Sequence, residues 1–286
     1  MAEFQPAIHR YTTPRNLPVS VFLVETEHGV VLIDSATAVS TSHEIRALID
    51  EQIKKPLLAL LLTHGHPDHY VGAGEIVRGL DVPIVATEGV AKFAHSQDEH
   101  KFDSLIIPNY GTDAPAQRMF PNRLVKGGDV LTFDGVDFAL RDYGPCESDD
   151  DCTWTVTSGG VQHVFVGDLI YSHAHGYFRD GHAPKWIAAL RSLQKEYDYT
   201  AVFHPAHGDD CGIEMTCWQI GYIEAFLITL HSLLCAGGTV RDALDDAGKQ
   251  ILIARMQSYL PSEKLITLTK YELDQTIREL KDSLGV

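Results

Sequence analysis

Apolar positions along the chain come in short runs separated by segments of helical spacing. Residues 19–24 and 30–33 are two such runs, divided by Glu25-Thr26-Glu27-His28-Gly29, and the pattern predicts a β-hairpin. Thr41-Ser42-His43-Glu44 then supplies an N-terminal cap for a helix with apolar positions at Ile45, Leu48, Ile49 and Ile53, which Pro56 terminates. The run 57–62 reads as a buried strand feeding a turn, 71–80 as a helix and 83–86 as a further short strand. Alternation of strand and helix to this point predicts a layered α/β domain and not a bundle.

From 94 to 128 the pattern breaks into isolated apolar residues such as Ile106, Ile107, Tyr110, Met119 and Phe120 among His95, His100, Pro108, Pro115 and Pro121. A connection of this length reads as a loop or lid on the substrate side, with a passive surface excursion as the other reading. Residues 130–133 and 136–141 then flank Asp134-Gly135, a strong two-residue hairpin signal, and 153–157 and 161–166 flank Gly159-Gly160. A helix is predicted over 184–196 and a last apolar strand over 200–203. Beyond Cys211 the spacing is helical, over 218–235 up to a Gly237-Gly238 stop, then 239–260 and 262–284. Trp218, Ile223, Phe226, Leu227 and Leu230 read as core or as a homodimer face.

At 286 residues the chain has room for one large α/β domain or two small ones. Its formal net charge of -16 disfavours nucleic acid and anionic membranes as partners, since both require surplus Lys and Arg. Residues 1–15 lack an apolar core of signal-peptide length, and no stretch reaches the roughly 18 uninterrupted apolar residues of a membrane span, so a cytoplasmic location is expected. Five cysteines (146, 152, 211, 217 and 235) are too few and odd in number for a disulfide framework.

The chemistry is concentrated after the strand 57–62, in Thr63-His64-Gly65-His66-Pro67-Asp68-His69. Three imidazoles and a carboxylate in so short a turn are costly to desolvate unless something binds them. His64 and His66, two apart, can close on one cation, while Asp68 and His69 face a second position beside it. Such nitrogen and oxygen donors suit Zn, Mn or Fe and not a soft thiolate site.

T-H-x-H-x-D-H at the end of a strand resembles the metallo-β-lactamase superfamily. The resemblance implies a four-layer αββα sandwich over residues 1–211, with 212–286 as a C-terminal helical extension packed on it. It also implies three more ligands in order. Gly144-Pro145-Cys146 matches the turn that carries the family's third histidine, but Glu147 stands where that histidine belongs. Glutamate can ligate the same metals and would harden the site; some branches, the alkylsulfatase-like ones among them, do use glutamate here. Asp149, Asp150 or Asp151 as the ligand, or loss of the first metal position, stay open. Gly167-Asp168 matches the family's Gly-Asp turn, whose aspartate bridges two metals. His204-Pro205-Ala206-His207-Gly208 matches the final histidine turn, best with His207 and otherwise with His204.

The implied set is thus His64, His66 and Glu147 for one divalent metal ion, Asp68, His69 and His207 for the other, and Asp168 between. Asp34, in Val31-Leu32-Ile33-Asp34, reads either as a group orienting a ligand or as a turn-starting aspartate. Tyr171, His173, His175 and Tyr177 lie in an aromatic, imidazole-rich loop that could border the substrate. Two cations about 3.5 to 4 Å apart hold a shared water and present hydroxide to an electrophile. The expected activity is therefore a dinuclear hydrolase, with Zn preferred over Mn or Fe as the metal and with Asp68 orienting the hydroxide and serving the leaving group. An ester, thioester or lactone is the preferred small-molecule substrate, with sulfate esters suggested by Glu147; Asp168 counts against β-lactams, because the superfamily's dinuclear β-lactamases lack that aspartate. A mononuclear iron dioxygenase of the same superfamily and a non-catalytic metal-binding protein are the alternatives.

Overall fold

The computed structural model describes residues 4–14, 18–236 and 240–284. Its strands are β1 (Ala7–Thr12), β2 (Ser20–Glu25), β3 (Val30–Ile33), β4 (Leu57–Leu61), β5 (Ile84–Thr87), β6 (Arg123–Val125), β7 (Val130–Phe133), β8 (Val136–Gly144), β9 (Asp151–Ser158), β10 (Val161–Ser172) and β11 (Val202–Gly208). They form a six-stranded sheet in the order β1-β2-β3-β4-β5-β6 and a five-stranded sheet in the order β11-β10-β9-β8-β7. The first sheet is antiparallel through β3 and parallel from β3 to β6; the second is antiparallel except where β11 lies parallel to β10.

Helices α1 (Val39–Ala47), α2 (Pro67–Tyr70), α3 (Ala73–Ile76), α4 (Glu88–Lys101), α5 (Ile107–Tyr110), α6 (Ala183–Glu196), α7 (Glu214–Leu234), α8 (Asp246–Tyr259) and α9 (Asp274–Leu284) cover the outer faces. The architecture is a four-layer αββα sandwich, and side-chain alternation explains it. In β8, Val136, Phe138 and Leu140 are buried while Asp137, Ala139 and Arg141 are exposed. In β10, Phe165 joins the core between the sheets, while Val164 and Val166 on the opposite face join a second core with α6, α7, α8 and α9. Trp154 ties the sheets together: its ring is fully buried and its indole Nε1 donates to the Leu62 carbonyl at the end of β4 (3.0 Å).

Several elements differ from the sequence-based expectation, each for a physical reason. The segment 94–128 is not an irregular loop. Its first residues complete α4, whose Thr87 cap accepts from the Val90 amide, and its last ones form β6 on the sheet edge. The helix is hidden in the hydrophobic pattern because its buried face turns polar after Ala94, at Gln97, Asp98 and Lys101. The expected helix 71–80 is reduced to the single turn α3, separated from α2 of the ligand turn by Gly72, which packs against the Ser35 and Ala36 carbonyls. Strand β10 runs on past Gly167-Asp168 to Ser172, and β11 starts two residues late and carries His204, Pro205 and His207 within it. Strand β1 has no counterpart in the hydrophobic pattern, being a half-buried edge strand without apolar alternation. The Gly237-Gly238 stop lies outside the described residues; α8 begins only at Asp246, capped by Asp245. No helix among the described residues is long and apolar enough to cross a membrane.

Because Trp154 fills the sheet interface and donates to a buried carbonyl that otherwise has only the weak Cys152 thiol, Trp154→Phe is expected to cost about 1–3 kcal/mol. Urea unfolding of the two proteins measures this, as a lower midpoint at unchanged slope.

Candidate metal centre

Strand ends from both sheets converge at one edge of the sandwich. At the end of β4, the Thr63 carbonyl accepts from the Cys152 amide of β9 (2.9 Å) and His64 bridges to Asp151, so the turn 63–69 is pinned to the second sheet. In β10 the register slips at Gly167, whose φ of +53° is left-handed. A Cβ at that position would meet Thr63 Oγ1 at 2.5 Å, so only glycine lets β10 bend toward the turn and carry Asp168 inward.

Two groups of donors result. His64, His66, Glu147 and Asp168 place one ligand atom each within 4.8 Å of one another, and Asp68, His69 and His207 do the same. In the first, His64 Nε2 and His66 Nδ1 are 3.0 Å apart, and Glu147 Oε2 lies 3.8 and 3.2 Å from them. In the second, His207 Nε2 lies 3.3 Å from Asp68 Oδ2, and His69 Nε2 lies 3.7 Å from Asp68 Oδ1. Asp168 faces both groups, with Oδ2 3.9 Å from His64 Nε2 and 3.3 Å from His207 Nε2, and Oδ1 3.5 Å from His69 Nε2.

Each imidazole is aimed by a bond from its other nitrogen. His69 Nδ1 donates to Asp34 Oδ2 (2.9 Å), His66 Nε2 to Asp180 Oδ2 (2.6 Å) and His207 Nδ1 to the Pro18 carbonyl (2.7 Å). His64 Nδ1 lies 3.2 Å from Thr63 Oγ1, which itself donates to Asp34 Oδ2 (2.8 Å). Fixing the outer nitrogen as the donor turns the inner lone pair toward the cluster, the arrangement that orients metal-binding histidines. Three inward atoms, His69 Nε2, Glu147 Oε2 and Asp168 Oδ1, are buried and have no hydrogen-bond partner. Orphans at that density are costly unless a cation completes them. The donor set therefore fits divalent metal, of the oxygen- and nitrogen-preferring kind.

Electrostatics agree. Burial, with the neighbouring His69, keeps His64 well below the usual imidazole range, hence neutral. Burial and Lys101 would do the same to His66, but Glu147 and Asp180 carry it up to about 9. Burial likewise opposes charge on His207, which Asp168 and Asp68 nonetheless raise to about 10. Burial raises Glu147, whereas Asp168 is held well below the carboxylate range by His207 and His69 against its own burial. The carboxylates thus demand positive charge here, and protons on the histidines supply it when cations do not.

Other candidates are placed elsewhere. Asp151 accepts from the Ser148 amide, Asp150 from Thr87 Oγ1 and Asp149 from His182, so none of the three joins Glu147 in the cluster. His204 bonds Asp210 and His163. Of the loop residues, Tyr171 and Tyr177 line the cavity above the cluster, and the Tyr171 hydroxyl lies 2.9 Å from both Glu147 Oε1 and Asp168 Oδ2. His173 and His175 do not line it: His175 is bonded to the Tyr222 hydroxyl and the Ser262 carbonyl, and His173 faces Trp218. The cavity, of about 350 Å³, is also lined by Lys101, Leu105, Ile106, Asn109 and Tyr110 from the 94–128 segment and by Leu268 and Tyr271 from the C-terminal helical region. Sequence reasoning missed Asp180, Lys101 and the Pro18 carbonyl. Only Asp180 left a local trace, in the turn Arg179-Asp180-Gly181.

Residues 14–207 match the model of the metallo-β-lactamase superfamily. The chain belongs to that superfamily. It is 36% identical over 90 residues to an (R)-specific secondary-alkylsulfatase of Pseudomonas sp, a match that spans 28% of this chain and 13% of that protein. It is 23% identical over 187 residues to a hydroxyacylglutathione hydrolase of Nitrosomonas eutropha, 64% of this chain and 58% of the relative. The chain thus matches less than two thirds of either protein's length. Among solved structures, a metallo-β-lactamase family protein of Thermus thermophilus superposes with a TM-score of 0.70 at 18% identity, over 97% of this chain and 94% of that one, a likeness of fold. The superfamily is mostly hydrolases, and the His, Glu and Asp cluster of this chain is one that could hold divalent metal.

If Asp180 orients His66, Asp180→Ala is expected to weaken metal binding about 10–100-fold while the melting temperature of the metal-free protein changes little. Competition against a fluorescent chelator gives the affinities, and thermal melts of the metal-free variant and wild type give the stability comparison.

Proposed function

We propose that this protein is a dinuclear metal-dependent hydrolase acting on an ester, thioester or lactone. The observation that carries the reading is the pair of donor groups flanking Asp168, with three buried ligand atoms that lack partners. One group alone would serve a mononuclear oxygenase; a carboxylate that faces both groups, as Asp168 does, supports two cations. His64, His66 and Glu147 would hold one, Asp68, His69 and His207 the other, and Asp168 both. Such ions supply a water of near-neutral pKa and polarise the substrate carbonyl.

The chain's own residues supply the rest. Asp68 lines the cavity with 33% of its side chain exposed, whereas Asp168 reaches the cavity with only 4% exposed and Glu147 is sealed beneath it. Asp68 is the carboxylate of the set placed to orient the attacking water and to hold a proton at Oδ for the departing group. Tyr171 is kept protonated by burial and by Asp168 and Glu147 beside it, so its hydroxyl donates to those carboxylates and holds them in place. Its ring also stacks on His207, with centroids 5.4 Å apart and planes 7° apart. Leu105, Ile106, Tyr110, Leu268 and Tyr271 give the cavity apolar walls that exclude water from the acyl group.

A sulfate ester is the second reading. It is favoured by Glu147 in the third ligand position and by the local identity to the secondary-alkylsulfatase. Both reactions need the same cluster.

Protein loaded with zinc or manganese is expected to bind two ions per chain and to hydrolyse 4-nitrophenyl butyrate, a thioester or a lactone, with turnover abolished by a chelator. Asp168→Ala should lose at least one ion and most of the activity while keeping its melting behaviour. Two ions and normal turnover in that variant would reject the dinuclear assignment, and oxygen uptake with a single iron would favour the dioxygenase.

A further inference from the structure

Lys101 is 4% exposed, at the C-terminal end of α4, and lines the cavity above the donor cluster. Among the described residues lining that cavity it is the only lysine or arginine. Its ammonium stands 5.8 Å from the centroid of the Phe93 ring and 5.8 Å from that of Tyr177. Those same rings flank His66, at 5.5 and 5.4 Å between centroids. The cation and the candidate ligand His66 thus share two aromatic neighbours.

What the ammonium lacks is a partner. Among the described residues Lys101 makes no hydrogen bond and no ion pair, and the nearby carboxylate of Asp180 is taken by His66 and Arg179. Burial lowers the Lys101 pKa, with the carboxylates of Asp180, Glu147 and Asp68 only partly opposing it. A lysine this buried with no bonded partner is rare, because desolvating an ammonium is costly unless something restores its bonds. The cation–π contacts return only part of that cost. In a chain of net charge -16, no general attraction for anions exists that would make this placement incidental.

We propose that Lys101 seats an anionic group of the substrate, so that the molecule processed at the cluster carries a carboxylate or a sulfate on an apolar body. The anion would sit at the Lys101 ammonium beside Tyr177, and the apolar part against Leu105, Ile106, Leu268 and Tyr271. This inference rests on the hydrolase reading for the site's purpose, but its test does not require turnover.

The test is equilibrium binding of hexanoate, hexyl sulfate and neutral hexanamide to metal-loaded wild-type protein, Lys101→Met and Lys101→Gln, measured by calorimetry. At least one of the two anions should bind tenfold or more less tightly to both variants, while hexanamide binds all three proteins alike. The anion that suffers the larger loss identifies the group. Because Lys101→Met removes an uncompensated buried charge, its melting temperature should equal or exceed that of wild type. Anion affinity that is unchanged in both variants means the probes sit on the metal ions alone, and overturns the proposal. Lys101-dependent binding in a protein that hydrolyses nothing would sink the hydrolase reading and leave this inference standing; hydrolysis with no Lys101 effect would do the reverse.

Discussion

The constraint on which this molecule depends is the desolvation of charge at one edge of an otherwise apolar sandwich. Four imidazoles and the carboxylates of Asp34, Glu147 and Asp168 are buried there, with Asp68 partly exposed at the rim. Carboxylates brought this close repel one another strongly in a medium of low polarity, and only compensating positive charge makes the arrangement tenable. Protons on His66, His69 and His207 provide some of it. They leave His69 Nε2, Glu147 Oε2 and Asp168 Oδ1 without hydrogen-bond partners inside the cluster. Divalent cations answer both needs together, and the rest of the fold can be read as the scaffold that holds such a site open.

The scaffold does this by rigid means. The sheets meet through Trp154 and through the Thr63–Cys152 backbone bond, and both contacts fall within two residues of His64. Asp34 accepts from the Thr63 amide, the Thr63 hydroxyl and His69, so one carboxylate at the end of β3 couples the turn backbone to a ligand ring. Its φ of +61° places it in the left-handed region, a strained conformation held by those three bonds. A site assembled from strand ends in this way is more precise than one built on loops alone.

The part of the site that could be read from sequence is the part whose chemistry is local. His64, His66, Asp68 and His69 announce themselves by proximity, since so many polar ligands in one turn after a buried strand need a common purpose. Glu147, Asp168 and His207 are legible only through resemblance, because a lone glutamate, a Gly-Asp dipeptide and a His-Gly dipeptide carry little information by themselves. Strands are legible where one face is buried, as in β8, and their ends are not: β10 and β11 both extend through residues that look like turns, because pairing with a neighbour overrides local preference. Asp180 and Lys101 are illegible for a different reason. Asp180 owes its role to His66, far along the chain, and Lys101 to the aromatic rings it shares with that histidine, and beyond the turn at Arg179-Asp180-Gly181 nothing in the surrounding residues marks either. His175 is the converse, an imidazole in a promising loop whose hydrogen bonds to Tyr222 and Ser262 make it structural.

The glutamate at 147 and the lysine at 101 belong to one electrostatic argument. Exchanging a neutral imidazole for a carboxylate in the first donor group adds a negative charge, which lowers the net positive charge that two cations would present to a substrate. Such a site attracts an anionic substrate less strongly through its metals than one with three histidines would. If the substrate nonetheless carries an anionic group, recognition has to be supplied away from the ions, and Lys101 is the cation in the cavity wall positioned to do so. Segregating the two tasks also protects the chemistry: an anion captured on Lys101 does not compete with the electrophilic group for the open metal positions. The 94–128 segment, through Lys101, Leu105, Ile106, Asn109 and Tyr110, would then set what enters, and the strand ends beneath it what happens there.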